Sequence, residues 1–282
     1  MKCSVIVPTY NSPRELDLAL CGLARQTRPP EEIIIADDGS TDETRAVIES
    51  WRNGLNTRLV HVWHSDLGYR KARIVNEAVR RASGDHLIFI DGDSIPHRHW
   101  VADHMKAADG RRVLCGRRVK LGPRLSAVVT REQVLTGRIE SLTGPLLRSY
   151  LSGDTKRFML GVRLPSGLAR CFHPRPRKLM GVNFSLPRVV FEQVNGYDEE
   201  WKVYGHEDRD LELRLLRAGI PFYPLLNRAV VYHLYHPFRP ISQETRDLIA
   251  QQEASSRTRC RWGLAQSLDS DPFELDPGLD RR

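Results

Sequence analysis

The stretch His86-Leu87-Ile88-Phe89-Ile90-Asp91-Gly92-Asp93-Ser94-Ile95-Pro96 decides how this chain is read. The unbroken apolar run from Leu87 to Ile90 suits a strand buried on both faces. It stops on two carboxylates separated by one glycine. Two acids at a strand end can turn toward one hard cation, and glycine lets the backbone bend and a ligand approach. Mg2+ and Mn2+ favour oxygen ligands and leave positions open for phosphates. Alone, the triplet is equally a polar turn. Its surroundings settle which reading is preferred.

Upstream, strand-like runs at 3–7, 32–36 and 58–63 alternate with helical patterns at 14–25, 42–51 and 69–82. Such alternation predicts an α/β domain, Rossmann-like, with a mainly parallel sheet and helices on both faces. Every strand ends in polar residues: Pro8-Thr9-Tyr10-Asn11, Asp37-Asp38-Gly39-Ser40, Asp66-Leu67-Gly68-Tyr69, and Asp91-Gly92-Asp93. Ligands of parallel sheets sit beyond those carboxyl ends. Downstream, a strand is expected within 181–186, helices at 188–194 and 207–218, and a last strand at 229–232.

Residues 117–178 hold 14 Lys or Arg against 3 Asp or Glu, a net of +11 against +8 for all 282 residues, so the remainder is slightly acidic. The expected organisation is an α/β half at 1–116 with its strand-end rim and a basic helical insertion at 117–179. A second half at 180–240 and a C-terminal helix with a mobile polar tail at 241–282 complete it. The insertion suits either an anionic acceptor or a peripheral contact with an anionic membrane. The five cysteines are scattered, with no C-x-x-C pair, which argues for a reducing compartment and against a disulfide frame or zinc knuckle. No window approaches the roughly 18 apolar residues of a membrane span, and the N-terminal apolar stretch is short for a signal peptide, so a cytoplasmic location is expected.

In order along the chain stand VIVPTYN, IADDGSTD, FIDGD, GVNFSLPR, GYDEEWKVYGHEDRDLELRLLRAG and VVYHLYH. This series resembles the family 2 glycosyltransferases of GT-A fold, most of all the branch with β-1,4-galactosyltransferases and chondroitin-type polymerases. The likeness covers about residues 3–110 and 180–237, and implies that 1–116 is the nucleotide-sugar-binding half and 180–240 the acceptor and catalytic half.

The resemblance implies a UDP-sugar donor, a Mn2+ or Mg2+ cofactor and a glycan or glycolipid acceptor. It makes Asp91 and Asp93 metal ligands, with Gly92 between them at the donor diphosphate, and completes the site with His233, the alternative being His236. Pro8, Thr9, Tyr10 and Asp37 correspond to the uridine pocket, where a carboxylate can accept the uracil imide. Tyr69 takes the place of the base-stacking aromatic. Asp66, Lys71 and Arg73 fall near ribose or diphosphate, and Asn183 beside donor sugar and metal. Many relatives carry Arg directly before the asparagine matching Asn76; this chain has Val75. Asp208 corresponds to the general base, with Glu207 orienting the acceptor. Trp201, Tyr204 and Gly205 form an acceptor loop. Acids also favour a helix N-terminus for electrostatic reasons, which accounts for one acid there but not for the aromatic loop before it.

The implied reaction is an inverting transfer from galactose, glucose or N-acetylhexosamine donors, with bacterial surface polysaccharide or lipopolysaccharide as the setting. Two other classes are weaker. A sugar-nucleotide pyrophosphorylase calls for a glycine-rich basic loop that VPTYNSP lacks. A non-catalytic anion or nucleic-acid binder would interleave aromatics with its basic residues, and the insertion offers only Tyr150, Phe158 and Phe172. No nucleic-acid partner is expected.

Overall fold

A computed structural model describes residues 1–141, 143–175, 178–268 and 273–275. Its strands are β1 (Cys3–Thr9), β2 (Glu32–Asp37), β3 (Arg58–Trp63), β4 (His86–Phe89), β5 (Ser94–Pro96), β6 (Val113–Cys115), β7 (Arg118–Lys120), β8 (Phe184–Pro187), β9 (Phe222–Pro224), β10 (Val231–His233) and β11 (Glu274–Leu275). The helices are α1 (Pro13–Ala24), α2 (Asp42–Ser50), α3 (Lys71–Arg81), α4 (Trp100–Ala107), α5 (Pro123–Val128), α6 (Arg131–Leu135), α7 (Pro145–Leu151), α8 (Ser166–Phe172), α9 (Arg188–Gln193), α10 (Glu207–Arg217) and α11 (Gln243–Ala254).

The main sheet runs β11-β3-β2-β1-β4-β8-β6-β9. Neighbours from β3 to β4 are parallel, as the alternation predicts. Side chains of successive residues point to opposite faces, and both faces are apolar. Val5, Val7, Ile33, Ile35 and Ile88 join Leu16, Leu20 and Leu23 of α1 on one side. Ile6, Ile34, Val60, Leu87 and Phe89 join Ile74, Val75, Ala78 and Val79 of α3 on the other. Each such aliphatic side chain contributes about 1.5–3 kcal/mol by leaving water, which makes this half rigid.

The sheet is mainly parallel, as expected; β8 is inserted antiparallel to both β4 and β6, and β9 is parallel to β6. The last strand lies outside the main sheet. β10 is antiparallel to β5 and parallel to β7 in a small second sheet, with His233 in register with Ser94. Since β5 starts directly after Asp93, this pairing brings the end of the D-x-D loop beside the histidine. The Leu234 amide donates to the Asp93 carbonyl at 3.0 Å.

The basic insertion is no separate appendage. Val119, Leu121, Leu125, Val134, Ile139 and Leu146 lie in the same core as β1 and α1. Nor is the described part of the tail loose. Cys260 is buried, the Leu264 amide donates to the Asn195 carbonyl at 2.9 Å, and the Ser267 hydroxyl donates to Glu199 at 2.6 Å. Further on, β11 pairs with β3. The rest of the expected tail, 269–272 and 276–282, lies outside the described residues. No helix among the described residues is long and apolar enough to cross a membrane.

Candidate active site

The strand ends deliver their acids to one cleft. Gly92 is required at its position by backbone crowding: a Cβ there would sit 3.0 Å from the Pro8 carbonyl oxygen. Its amide donates to that oxygen at 2.9 Å, which seats the D-x-D loop on the end of β1. Asp93 faces two imidazoles, His233 Nε2 at 3.4 Å and His236 Nε2 at 3.7 Å from its Oδ2. The donor atoms of these three side chains lie within 4.8 Å of one another, the one such metal-capable group among the described residues.

Charge fits this trio to a divalent cation. Burial, then the neighbouring charge of Asp91, pushes the Asp93 carboxyl up to about 6. Burial, then the charge of Arg118, pushes His233 down to about 3, so its imidazole is neutral and able to ligate. A carboxylate strained by a like charge beside a neutral imidazole is a donor set that a cation relieves. The expected ligand set was Asp91, Asp93 and His233. Of these, Asp93 and His233 stand together with the alternative His236, while Asp91 turns toward Lys71, whose Nζ is 3.2 Å from Asp91 Oδ1.

Lys71 opens α3, and its ammonium also lies 3.1 Å from Glu207 Oε1 at the start of α10. Burial raises the Asp91 carboxyl, but the Lys71 charge outweighs it and holds Asp91 below the usual carboxylate range. Burial opposes the charge on Lys71, yet Asp91, Glu207 and Asp208 together hold it well above its ordinary value. The second oxygen of Glu207, Oε2, is buried without a hydrogen-bond partner.

Asp208, half-buried, accepts a 2.7 Å bond from the Tyr197 hydroxyl on Oδ1. A Cβ at Gly181 would come 2.1 Å from its Oδ2, so only glycine lets the carboxylate stand where it does. Burial pushes Asp208 up to about 6; Lys71 opposes, while Glu207 and Asp91 add to the rise. Burial and the Asp208 charge keep Tyr197 neutral and hence a donor. A carboxylate poised near 6 in a cleft has the properties of a general base.

On the nucleotide side, exposed Tyr10 donates to Asp66 Oδ2 at 2.8 Å, and the Gly68 amide donates to Asp66 Oδ1 at 3.0 Å. Tyr69 is half-buried, edge-on to exposed Tyr204 with ring centroids 5.8 Å apart. Pro8 and Thr9 form the end of β1 above them.

Four expected roles give way to others. Asp37 is 1% exposed, its oxygens taken by His61 Nε2 at 3.0 Å and the Ser40 amide at 2.8 Å, so it locks β2 to β3 rather than meeting a base. Arg73 is buried, with Nη1 3.1 Å from His64 Nδ1 and its guanidinium 4.2 Å from the ring centre of Phe273, away from the cleft. Asn183 is fully buried. Its oxygen accepts from Trp100 and His104, both at 3.0 Å, and its amide donates to the carbonyls of Arg117 and Ala229, both at 2.8 Å. It ties α4, β8 and the second sheet together and has no atom left for a donor. Trp201 is 3% exposed and donates to the Gly205 carbonyl at 2.7 Å, so it props the loop from inside. Gly205 takes a φ of +92° to make that turn, and Tyr204 is the loop's exposed aromatic.

Sequence reasoning quoted Tyr197 and Gly181 inside motifs but gave neither a part in holding Asp208. No spacing links them to it, so only the fold reveals the trio.

Comparison with known proteins finds likeness along most of the chain. The description Glycosyl transferase family 2 matches residues 4–157, and N-terminal domain of galactosyltransferase matches residues 171–237. Validoxylamine A glucosyltransferase of Streptomyces hygroscopicus subsp. limoneus is 35% identical over 228 residues, 77% of this chain and 48% of its own. Chondroitin synthase of Pasteurella multocida (strain Pm70) is 29% identical over 245 residues, 83% of this chain and 25% of its own. The chain thus spans about half or less of the length of these relatives. Among solved structures, S. aureus TarS 1-349 in complex with UDP superposes with a TM-score of 0.56 at 20% identity, over 94% of this chain and 68% of that one, which bears out the GT-A fold. The first match alone covers more than half of the 282 residues, and this chain belongs to glycosyl transferase family 2.

Proposed function

We propose that the chain carries the catalytic centre of an inverting, divalent-metal-dependent transferase. It moves a hexose or N-acetylhexosamine from a UDP-sugar to a hydroxyl of a glycan. One observation carries the reading: Lys71 joins Asp91 to Glu207, so the D-x-D loop and the Asp208 helix face the same cleft.

In this reading the Tyr197 bond aims Asp208, and the Oδ2 beside Gly181 takes the acceptor proton. The acceptor oxygen bonds to the anomeric carbon as the bond from that carbon to the diphosphate breaks, and UDP carries off the electron pair. One displacement inverts the centre, with no enzyme nucleophile. Asp93, His233 and His236 would hold Mn2+ or Mg2+, which neutralises charge on the diphosphate when bound. Tyr10, Asp66 and Tyr69 line the nucleoside side, and Tyr204 offers a face to the acceptor. The UDP complex of TarS and the glycan named in chondroitin synthase support this donor and acceptor class. Assembly of a bacterial surface polysaccharide or lipopolysaccharide at the cytoplasmic face of the membrane is the proposed setting.

UDP release from a panel of UDP-sugars, with Mn2+, Mg2+ or EDTA, tests the reading without needing the acceptor. The expected result is metal-dependent release from one donor. If UDP is neither released nor bound with either metal present, the reading fails.

A further inference from the structure

Four cations gather on a lip of the cleft beside His233. Arg118 and Lys120 belong to β7, where Lys120 is in register with His233 of β10. Paired backbone hydrogen bonds of 3.0 and 2.8 Å join Lys120 to Lys156 and bring Lys156 and Arg157 alongside. Lys120, Lys156 and Arg157 are exposed, and Arg118 is half-buried.

Surface cations normally pair with acids; the charge of Arg118 reaches Asp91 and Asp93, but none of the four cations forms an ion pair among the described residues. The buried Nε of Arg118 has no hydrogen-bond partner. Nearby acids are engaged elsewhere: Asp154 accepts from the Leu125 amide and the Ser149 hydroxyl, and Asp91 holds Lys71. The crowding registers on Lys120, which burial and then the charges of Arg118, Arg157 and Lys156 hold below its usual range. Like charges held together beside a low-dielectric cleft focus a field that draws in an anion.

Position selects which anion. β10 separates β7 from β5, the strand that follows the D-x-D loop. A diphosphate held at Asp93 would approach from the rim side. Lys120, in register with His233, sets the lip beside the metal-capable trio, on the side of β10 away from β5. We infer that Arg118, Lys120, Lys156 and Arg157 bind an anionic group, phosphate or carboxylate, of the acceptor glycan; the identification as acceptor rests on the transferase reading above. A membrane headgroup is the less suited ligand, because Lys120 stands in register with His233 at the cleft rather than on a free outer face.

The test is fluorescence anisotropy with three labelled probes in EDTA, which removes metal-bridged binding: a glucuronic-acid-containing tetrasaccharide, an oligo(glycerol phosphate) and neutral maltotetraose. The variant is Lys120→Ala, Lys156→Ala, Arg157→Asn, with Asn chosen because Arg157 has a φ of +60° that Asn tolerates. Wild type is expected to bind at least one anionic probe more tightly than maltotetraose, with affinity falling as salt rises. The identity of that probe separates carboxylate from phosphate. The variant is expected to lose about tenfold or more in that affinity, while a Lys120→Arg, Lys156→Arg variant keeps it. UDP binding with Mn2+, unchanged in the triple variant, reports an intact fold. Equal binding of neutral and anionic probes, or undiminished binding by the triple variant, overturns the inference. So does a parallel loss of UDP affinity, which would give the cations to the donor. Loss seen only in flotation with phosphatidylglycerol vesicles would give them to a membrane, and also overturns it. If UDP-sugar turnover fails while the anionic probe still binds through these cations, the transferase reading falls and the anion site stands.

Discussion

The two sides of the cleft treat charge in opposite ways. On the nucleotide side the acids after β2 and β3 are satisfied: Asp37 by His61 and the Ser40 amide, Asp38 by His64 and the Arg70 amide, Asp66 by Tyr10 and the Gly68 amide. On the other side Glu207 Oε2 and Arg118 Nε are buried without partners and Asp208 is pushed up to about 6; Asp93, at the seam between the two, is pushed up as far. Satisfied networks hold a shape, and unsatisfied ones hold a demand for charge. The difference teaches that recognition is built into the β1–β4 half in advance, whereas the acceptor half and the seam are left strained for a cation, a proton and an anion to relieve.

Exchanging the proposed base should break this contrast most severely. Asp208→Asn is expected to lower the turnover number for UDP release by about 10²–10⁴, with UDP affinity retained in a parallel titration. Loss of both would place Asp208 in donor binding instead.

The next effect falls on stability. Asn183→Ala removes four buried hydrogen bonds and strands their partners. It should cost about 3 kcal/mol in urea unfolding. A change in donor affinity without that loss would return Asn183 to the donor site.

Gly181→Ala sharpens the comparison from inside the acceptor half. Its methyl would drive Asp208 from its place. Misplacing a catalytic group by about 1 Å costs around 10²-fold, so kcat should fall by that order with the donor KM little changed.

The smallest effect is a shift in pH dependence. The folded pKa of Asp208 lies above the ordinary carboxylate value, so the base is protonated and idle below about 6, and kcat/KM should rise through that pH. The Tyr197 bond favours the ionised form, so Tyr197→Phe should move this limb to higher pH. An unmoved limb would mean that another group sets it.

How much of this was legible before the fold was known varies by region. The β1–β4 strands and their helices were readable because two-faced burial writes continuous apolar runs, and helices write a period near four. α11 fell at 243–254 as expected, and its Ser242 hydroxyl accepts from the Thr245 amide. The short strands β5, β6, β7 and β9 left no pattern, because a run of 3 residues is too brief to show a period. Asn183 and Trp201 were misread for a related reason: each stands inside a site-like motif, but burial and partners distant in sequence assign it to support.

By itself the sequence determined the α/β architecture of the first half, the acids at the strand ends, and Glu207-Asp208 at the start of α10. These follow from local periodicity and from chemistry that few residue types can supply. The tertiary structure alone decided which residues act together: Lys71 across Asp91 and Glu207, Tyr197 and Gly181 around Asp208, His236 beside Asp93, and four cations without ion pairs on one lip. Each of those relations depends on side chains from segments far apart in the chain, and distance in space leaves no trace in spacing.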